Sequence, residues 1–179
     1  MGDFYVKKKI IINVLLLLII SVTFLGCGDS AVDKVALVDV TTEEGITLKL
    51  PDDMVKQEGN ITSYVNKETG DNVSFGSSEV DMYPISSWGE EDMLALYQSR
   101  YEDVLLKSFE NGKKINGKDA LVSVLDIVTP GNNNITLTLV VVTDGAYDYV
   151  ISYIHGKDNT EGSLASNIET SIESISITK

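Results

Sequence analysis

Apolar and polar residues alternate along Ile46-Thr47-Leu48-Lys49-Leu50, the period of a half-buried strand, and Pro51-Asp52-Asp53 ends it because proline offers no ladder N–H. Ile61 to Val65 and Val73 to Phe75 read as two short strands. The turn formers Glu68-Thr69-Gly70-Asp71-Asn72 lie between them and predict a hairpin. From Ser87 the period lengthens. Met93, Tyr97, Tyr101 and Val104, with Leu94 and Leu105 beside them, recur at three- and four-residue steps and predict a helix with one apolar stripe. Ser87 and Glu90 form a Ser-x-x-Glu capping box, and Glu90, Glu91 and Asp92 suit the positive end of the helix.

Beyond the helix, Asn111-Gly112 and Asn116-Gly117 predict two turns, leaving Lys113-Lys114-Ile115 a short strand at most. Leu121 to Val128 is a β-branched strand, and Thr129 to Asn134 is a loop. Ile135, Leu137, Leu139 and Val141 then alternate with Thr136 and Thr138, and Asp144-Gly145 turns the chain into a strand from Tyr147 to His155. Leu164, Ile168, Ile172 and Ile175 predict a closing helix, capped by Asn159 or Thr160 and weakened at its first turn by Gly162. Strand runs punctuated by single helices predict an α+β domain: an antiparallel sheet of about six to seven strands flanked by two helices.

The amino terminus follows a different pattern. Lys7-Lys8-Lys9 precede the apolar run Ile10 to Leu25, which only Asn13, Ser21 and Thr23 interrupt, and Gly26-Cys27 follow. Cationic start, apolar centre and small residue before a cut are the parts of an export signal. Sixteen residues fall short of the roughly 17–25 that cross a bilayer core. Leu25-Gly26-Cys27 resembles the lipobox of bacterial lipoproteins, although Phe24 stands where leucine is usual. The resemblance implies residues 1–26 as a signal peptide and Cys27 as the lipidated first residue of the mature chain, a palmitate-type membrane anchor. An uncleaved signal anchor, or a secretory leader with an incidental cysteine, are the other readings of the same segment. Two or three fatty chains hold a protein firmly where one does not, since each buried methylene contributes about 0.8 kcal/mol.

Residues 27–44 are acidic and rich in small side chains around Val35-Ala36-Leu37-Val38, and read as a tether with a short strand near Val38. Residues 45–179 are long enough for one domain with one core. The chain carries 14 Lys+Arg against 27 Asp+Glu, a net charge of −13; without Asp3, Lys7, Lys8 and Lys9 the balance is 11 against 26, or −15. Such a surface repels phosphate backbones, so no nucleic-acid partner is expected. With Cys27 modified, no thiol remains for a disulfide, a metal site or a nucleophile.

Ile46-Thr47-Leu48-Lys49-Leu50-Pro51-Asp52-Asp53-Met54 resembles the opening strand, proline and bulky residue of PsbP-like domains, with Met54 where many carry an aromatic ring. Ile115-Asn116-Gly117-Lys118-Asp119-Ala120 resembles their step into the central meander, and Ser174-Ile175 the end of their closing helix. The resemblance implies an α/β/α sandwich and supplies no catalytic residues.

Candidate chemistry is sparse. His155 is the single histidine, and no serine lies in a Gly-x-Ser-x-Gly elbow, so the chain is expected not to be an enzyme. Asp52-Asp53, Asp71-Asn72, Asp81 and Asp158-Asn159-Thr160-Glu161-Gly162 are acidic turns without the ligand spacing of a twelve-residue calcium loop. Neither a metal nor another cofactor is expected. Tyr147, Tyr149 and Tyr153 share one strand parity with Ile151, as a ligand strip or a face covered by a helix, and Trp88 staples the start of the first helix. Three sequons, at Asn60, Asn72 and Asn134, are discounted in a bacterial lipoprotein. The expectation is a lipid-anchored extracytoplasmic protein on the cell membrane that binds another cell-envelope protein. Capture of a small ligand or divalent cation is the alternative, with a hydrolase behind it.

Overall fold

The computed structural model describes residues 35–178 apart from 60 and 81. The leader, Cys27 and Asp81 therefore lie outside the described residues. The elements are β1 (Leu37–Thr41), β2 (Ile46–Pro51), β3 (Val55–Gln57), β4 (Ser63–Val65), β5 (Asn72–Glu79), α1 (Glu90–Gln98), β6 (Asp103–Ile115), β7 (Lys118–Val128), β8 (Asn134–Thr143), β9 (Tyr147–Gly156), α2 (Ile168–Ser174) and β10 (Ser176–Ile177). All pairings are antiparallel. Seven strands form the main sheet in the order β3-β4-β5-β9-β8-β7-β6, and a second sheet has the order β1-β2-β10.

Strand alternation sends the main sheet's apolar residues into two cores. Leu121, Leu125, Leu137, Leu139, Val150 and Ile154 face Met93, Leu96 and Tyr97 of α1, with Ile85 and Trp88 before it. Ala120, Val140, Ile151 and Tyr153 face Ile46, Leu48 and Leu50 of β2, with Leu164, Ile172 and Ile175 around α2. One face thus carries a helix, and the other a helix together with a small sheet. The α+β class and the seven-stranded antiparallel sheet agree with the sequence.

Several boundaries differ, each for a reason. The strand beginning at Ile46 belongs to the second sheet, because its partners are β1 and the two-residue β10, which alternation over so short a span cannot announce. The strand expected near Val38 is β1; it pairs with β2 from Leu37↔Pro51 to Thr41↔Thr47, so ordered structure starts ahead of residue 45. The helix expected from Ser87 begins at Glu90 and ends at Gln98. Ser87 Oγ donates to Pro84 O at 2.8 Å, and the Gly89 N–H donates to Asp92 Oδ2 at 3.0 Å. Val104 and Leu105 lie on β6, where Val104 still reaches the first core, so the apparent helical stripe joins two elements.

Asn111-Gly112 is a bulge within β6. Register shifts there and at Lys107, and Gly112 at φ +88° takes a conformation that side chains disfavour. Both irregularities lie on an edge strand that carries Lys107, Lys113 and Lys114, features that discourage edge-to-edge pairing. Asn116-Gly117, at φ 46° and 83°, makes the expected two-residue turn into β7. The closing helix is shorter than expected: a 3-10 turn over Ala165–Asn167 precedes α2, because Asn159 caps nothing and instead bonds Asp71.

Candidate functional site

Three of the acidic turns, remote in sequence, meet at one corner of the molecule. Asp53 follows β2, Asn66 opens the β4–β5 turn, and Ser163 lies between β9 and α2. Asp53 Oδ2 accepts from Asn66 Nδ2 at 2.9 Å and from Ser163 Oγ at 2.7 Å. Asp71 is fully buried and accepts from Asn159 Nδ2 at 3.1 and 3.3 Å, while the Asn66 N–H donates to Asp71 O at 2.9 Å. His155, also buried, stands beside Asp71 at the end of β9, its Nδ1 at 2.8 Å from Gly156 O. Burial pushes the Asp71 carboxyl above the usual carboxylate range; hydrogen bonds from Thr69, Asn159 and Gly156 and the nearby His155 oppose the rise without cancelling it.

The corner ties loops together. Amides and a hydroxyl donate to its carboxylates, Asp53 Oδ1 is buried without a hydrogen-bond partner, and among the described residues no group of three or more His, Cys, Asp or Glu is placed to hold a metal ion. Gly162 is part of the lock, since a Cβ there would meet the Asn159 amide at 2.5–2.8 Å. Gly162→Ala should push Asn159 off Asp71 and lower stability by about 1–3 kcal/mol, the usual cost of unpairing a buried polar group, read from the urea midpoint.

Asp71 also predicts a pH dependence. A carboxyl whose folded pKa exceeds its unfolded value stabilises the fold below the unfolded pKa, and that contribution is lost as pH rises through the folded pKa. Asp71→Asn removes this term. The variant should therefore gain stability relative to the parent on going from about pH 4 to pH 7, near and above the carboxyl's ordinary value of about 3.9. Urea melts at the two pH values check this. A flat difference would mean that the buried carboxyl does not titrate in this range.

The tyrosine row divides. Tyr149 and Tyr153 are buried in the second core, where Tyr153 OH pairs with Ser171 Oγ of α2 at 3.0 Å. Tyr149 OH donates to Asp144 Oδ2 at 2.9 Å, and burial, followed by the Asp144 carboxylate, pushes its hydroxyl up to about 12. Tyr153 is thus covered by a helix, Tyr149 is buried in the same core, and Tyr147 remains exposed. Trp88 is buried over the first core, its carbonyl accepting from Asn111 Nδ2 at 3.1 Å, as a residue fixing the start of α1 would be. Met54 fills its place beneath the β2–β3 turn as a buried member of the second core.

The opposite end of β9 carries a feature that periodicity does not reveal. Val80 N donates to Ala146 O at 2.8 Å, and Ser86 donates through N and Oγ to the Asp148 carboxylate at 3.1 and 2.9 Å. Met82 is 83% exposed, Tyr83 56% and Tyr147 39%. Tyr147 and His155 are eight residues apart on one strand, or roughly 26 Å at 3.3 Å per residue. The Asp52 N–H donates to Ala36 O at 2.8 Å, so the amino-terminal segment enters the fold at the acidic corner, far from Tyr147.

No protein-family model matches the chain, and no curated protein matches it in sequence. Solved structures do match. The solution structure of cyanobacterial PsbP (CyanoP) from Synechocystis sp. PCC 6803 is similar with a TM-score of 0.58 at 13% identity, over 85% of this chain and 97% of that one. A protein of unknown function from Pseudomonas aeruginosa, described as a putative regulator, gives 0.42 at 13% identity over 70% and 86% of the two chains. A protein from Bacteroides thetaiotaomicron gives 0.46 at 17% identity over 75% and 46%. At such identities the likeness to CyanoP concerns the fold, and the fold of this chain is PsbP-like, as the short sequence resemblances implied.

Proposed function

We propose that the protein is a bacterial lipoprotein, anchored through Cys27 to the extracytoplasmic face of the cell membrane, that acts without catalysis as an accessory binding domain for another envelope protein. The observation that carries this reading is Leu25-Gly26-Cys27 at the end of a cationic, apolar leader, with the only cysteine of the chain at the lipidation position. Two structural facts support it. The described chain enters at one end of the long sheet, and the hydrogen bonds gathered there hold loops to one another.

Lysine-reactive crosslinking on intact membranes of the native host tests the reading, because Lys49, Lys107, Lys114 and Lys157 spread reactive amines over the domain. The expected result is one discrete envelope protein joined to the folded domain. Recovery of nothing but abundant neighbours in proportion to their amount would overturn the accessory role.

A further inference from the structure

We infer that the open end of β6, β7 and β8, where Lys107 and Lys157 converge on the Asp126 carboxylate, binds a small free monocarboxylic acid with an apolar body. The inference goes beyond the accessory role and does not depend on it.

Strand register puts the side chains of this site on one face. Asp103 pairs with Val128 and Leu105 with Asp126 across β6 and β7, while Val128 pairs with Asn134 and Asp126 with Thr136 across β7 and β8. Lys157 follows β9, and its N–H donates to Asn134 O at 3.0 Å. Directly opposed residues share a face, and every second residue along a strand returns to it. Asp126 therefore lies on the face of Ala120 and Val122, which carries the second core. That core's members on β7 and β8 are Ala120, Val122, Val140 and Val142, all nearer the other ends of the two strands. Past them the face opens into a cavity of about 190 Å³, lined by Asp103, Leu105, Asp126, Val128, Asn134 and Lys157. About 150 Å³ is enough for a benzene-sized guest, so a ligand of that class fits.

Charge chooses the ligand. Asp126 is 9% exposed and held from three sides: Thr136 Oγ1 donates to Oδ1 at 2.9 Å, Lys157 Nζ lies 3.1 Å from Oδ2, and Lys107 Nζ lies 3.8 Å from the same atom. Burial alone would raise this carboxyl, but the hydrogen bonds from Lys157 and Thr136 and the charge of both lysines outweigh it and hold the group below the usual carboxylate range. Two ammonium groups thus share one carboxylate, and among the described residues neither has another acidic partner. One positive charge is left over. A ligand carboxylate bridging the two lysines would match it and gain charge-assisted hydrogen bonds. Leu105, 56% exposed, and Val128 then cover the apolar body. The chain's net charge of −13, with Asp103 at the rim, repels a dianion more strongly than a monoanion, which sets phosphate-like ligands aside.

The test titrates benzoate into the full chain in detergent micelles and follows backbone amides by two-dimensional NMR. Saturable shifts are expected at Leu105, Val128, Asn134 and Lys157 but not at Val55, on the opposite edge of the sheet, with a Kd of about 1 mM for so small a ligand. Benzamide keeps the ring without the charge and should bind about tenfold more weakly. Lys157→Gln should weaken benzoate about fivefold, and Leu105→Asp, which places a like charge at an exposed position, about tenfold. Asp126→Asn should instead tighten binding several-fold, because it frees both lysines at nearly unchanged shape, whereas a carboxylate that merely orders the strand ends predicts weaker binding. Equal affinity for benzamide, shifts that do not saturate or that spread to Val55, or weaker binding by a folded Asp126→Asn overturns the site. Should Asp126→Asn not fold, unchanged affinity in Leu105→Asp overturns it. The accessory role stands or falls separately, on lysine crosslinking.

Discussion

Cys27→Ala is expected to abolish incorporation of labelled fatty acid completely and to leave a precursor heavier by its 26-residue leader. Diacylglyceryl transfer forms a thioether between the thiol sulfur, as nucleophile, and a glyceryl carbon whose bond to the phosphate headgroup breaks, and alanine offers no such nucleophile. Lipoprotein leaders are cut only after that transfer, so both steps stop together. The apolar run Ile10 to Leu25 would still hold the precursor at the membrane, which makes intact mass and label, rather than fractionation, the proper measurements. Full labelling of the variant, or a parent protein with an unacylated amino terminus, would remove the anchor from the proposal. The fold would be untouched by that result.

Leu48→Ala should cost the fold about 2–5 kcal/mol, the range for truncating a buried leucine that leaves a cavity. Leu48 is fully buried at the middle of β2 and packs in the second core with Tyr153 and Ile151 of β9 and Ile172 of α2. It therefore joins the small sheet to the large one. A domain of this size holds only about 5–15 kcal/mol in reserve, so the loss should appear as a large drop in urea midpoint with little change in slope. A loss under about 1 kcal/mol would mean that the three-stranded layer contributes little to the fold. Lys49 is a useful control: its side chain is exposed, and the Lys49 N–H donates to Ser174 Oγ through the backbone, so Lys49→Ala should leave stability nearly unchanged.

The meander β7-β8-β9 was legible because each strand is long, β-branched and bounded by a turn whose chemistry is local. The Asn116-Gly117 step works because asparagine and glycine accept the left-handed region, and Asp144 closes the next turn by accepting from the Ala146 and Tyr147 N–H groups at 2.9 and 2.8 Å. The start of α1 was misplaced because Ser87, Gly89, Glu90 and Asp92 offer two overlapping capping patterns. Asp92 lies one turn from Gly89 and takes its N–H, whereas Ser87 is drawn to Pro84. β6 was hidden for a related reason: bulges at Lys107 and Gly112 break its period of two, and Val104 and Leu105 happen to continue the spacing of the helix before it.

The candidate sites were less legible. Asp53, Asp71 and Asn159 were visible as turn residues, but their partners Asn66 and Ser163 are short polar residues without a pattern, brought close only by the sheet.

By itself the sequence determined the α+β class, the central meander and the acidic composition, since composition, turn chemistry and side-chain period act over a few neighbouring residues. Only the tertiary structure decided that β2 belongs to a second sheet, that three acidic turns close one corner, and that Val80 and Ser86 are tied to Ala146 and Asp148. Those features depend on contacts between residues 13 to 110 positions apart, such as Asp53 with Asn66 and Ser163 and Ser86 with Asp148, and no local pattern encodes which distant strand a short segment will meet.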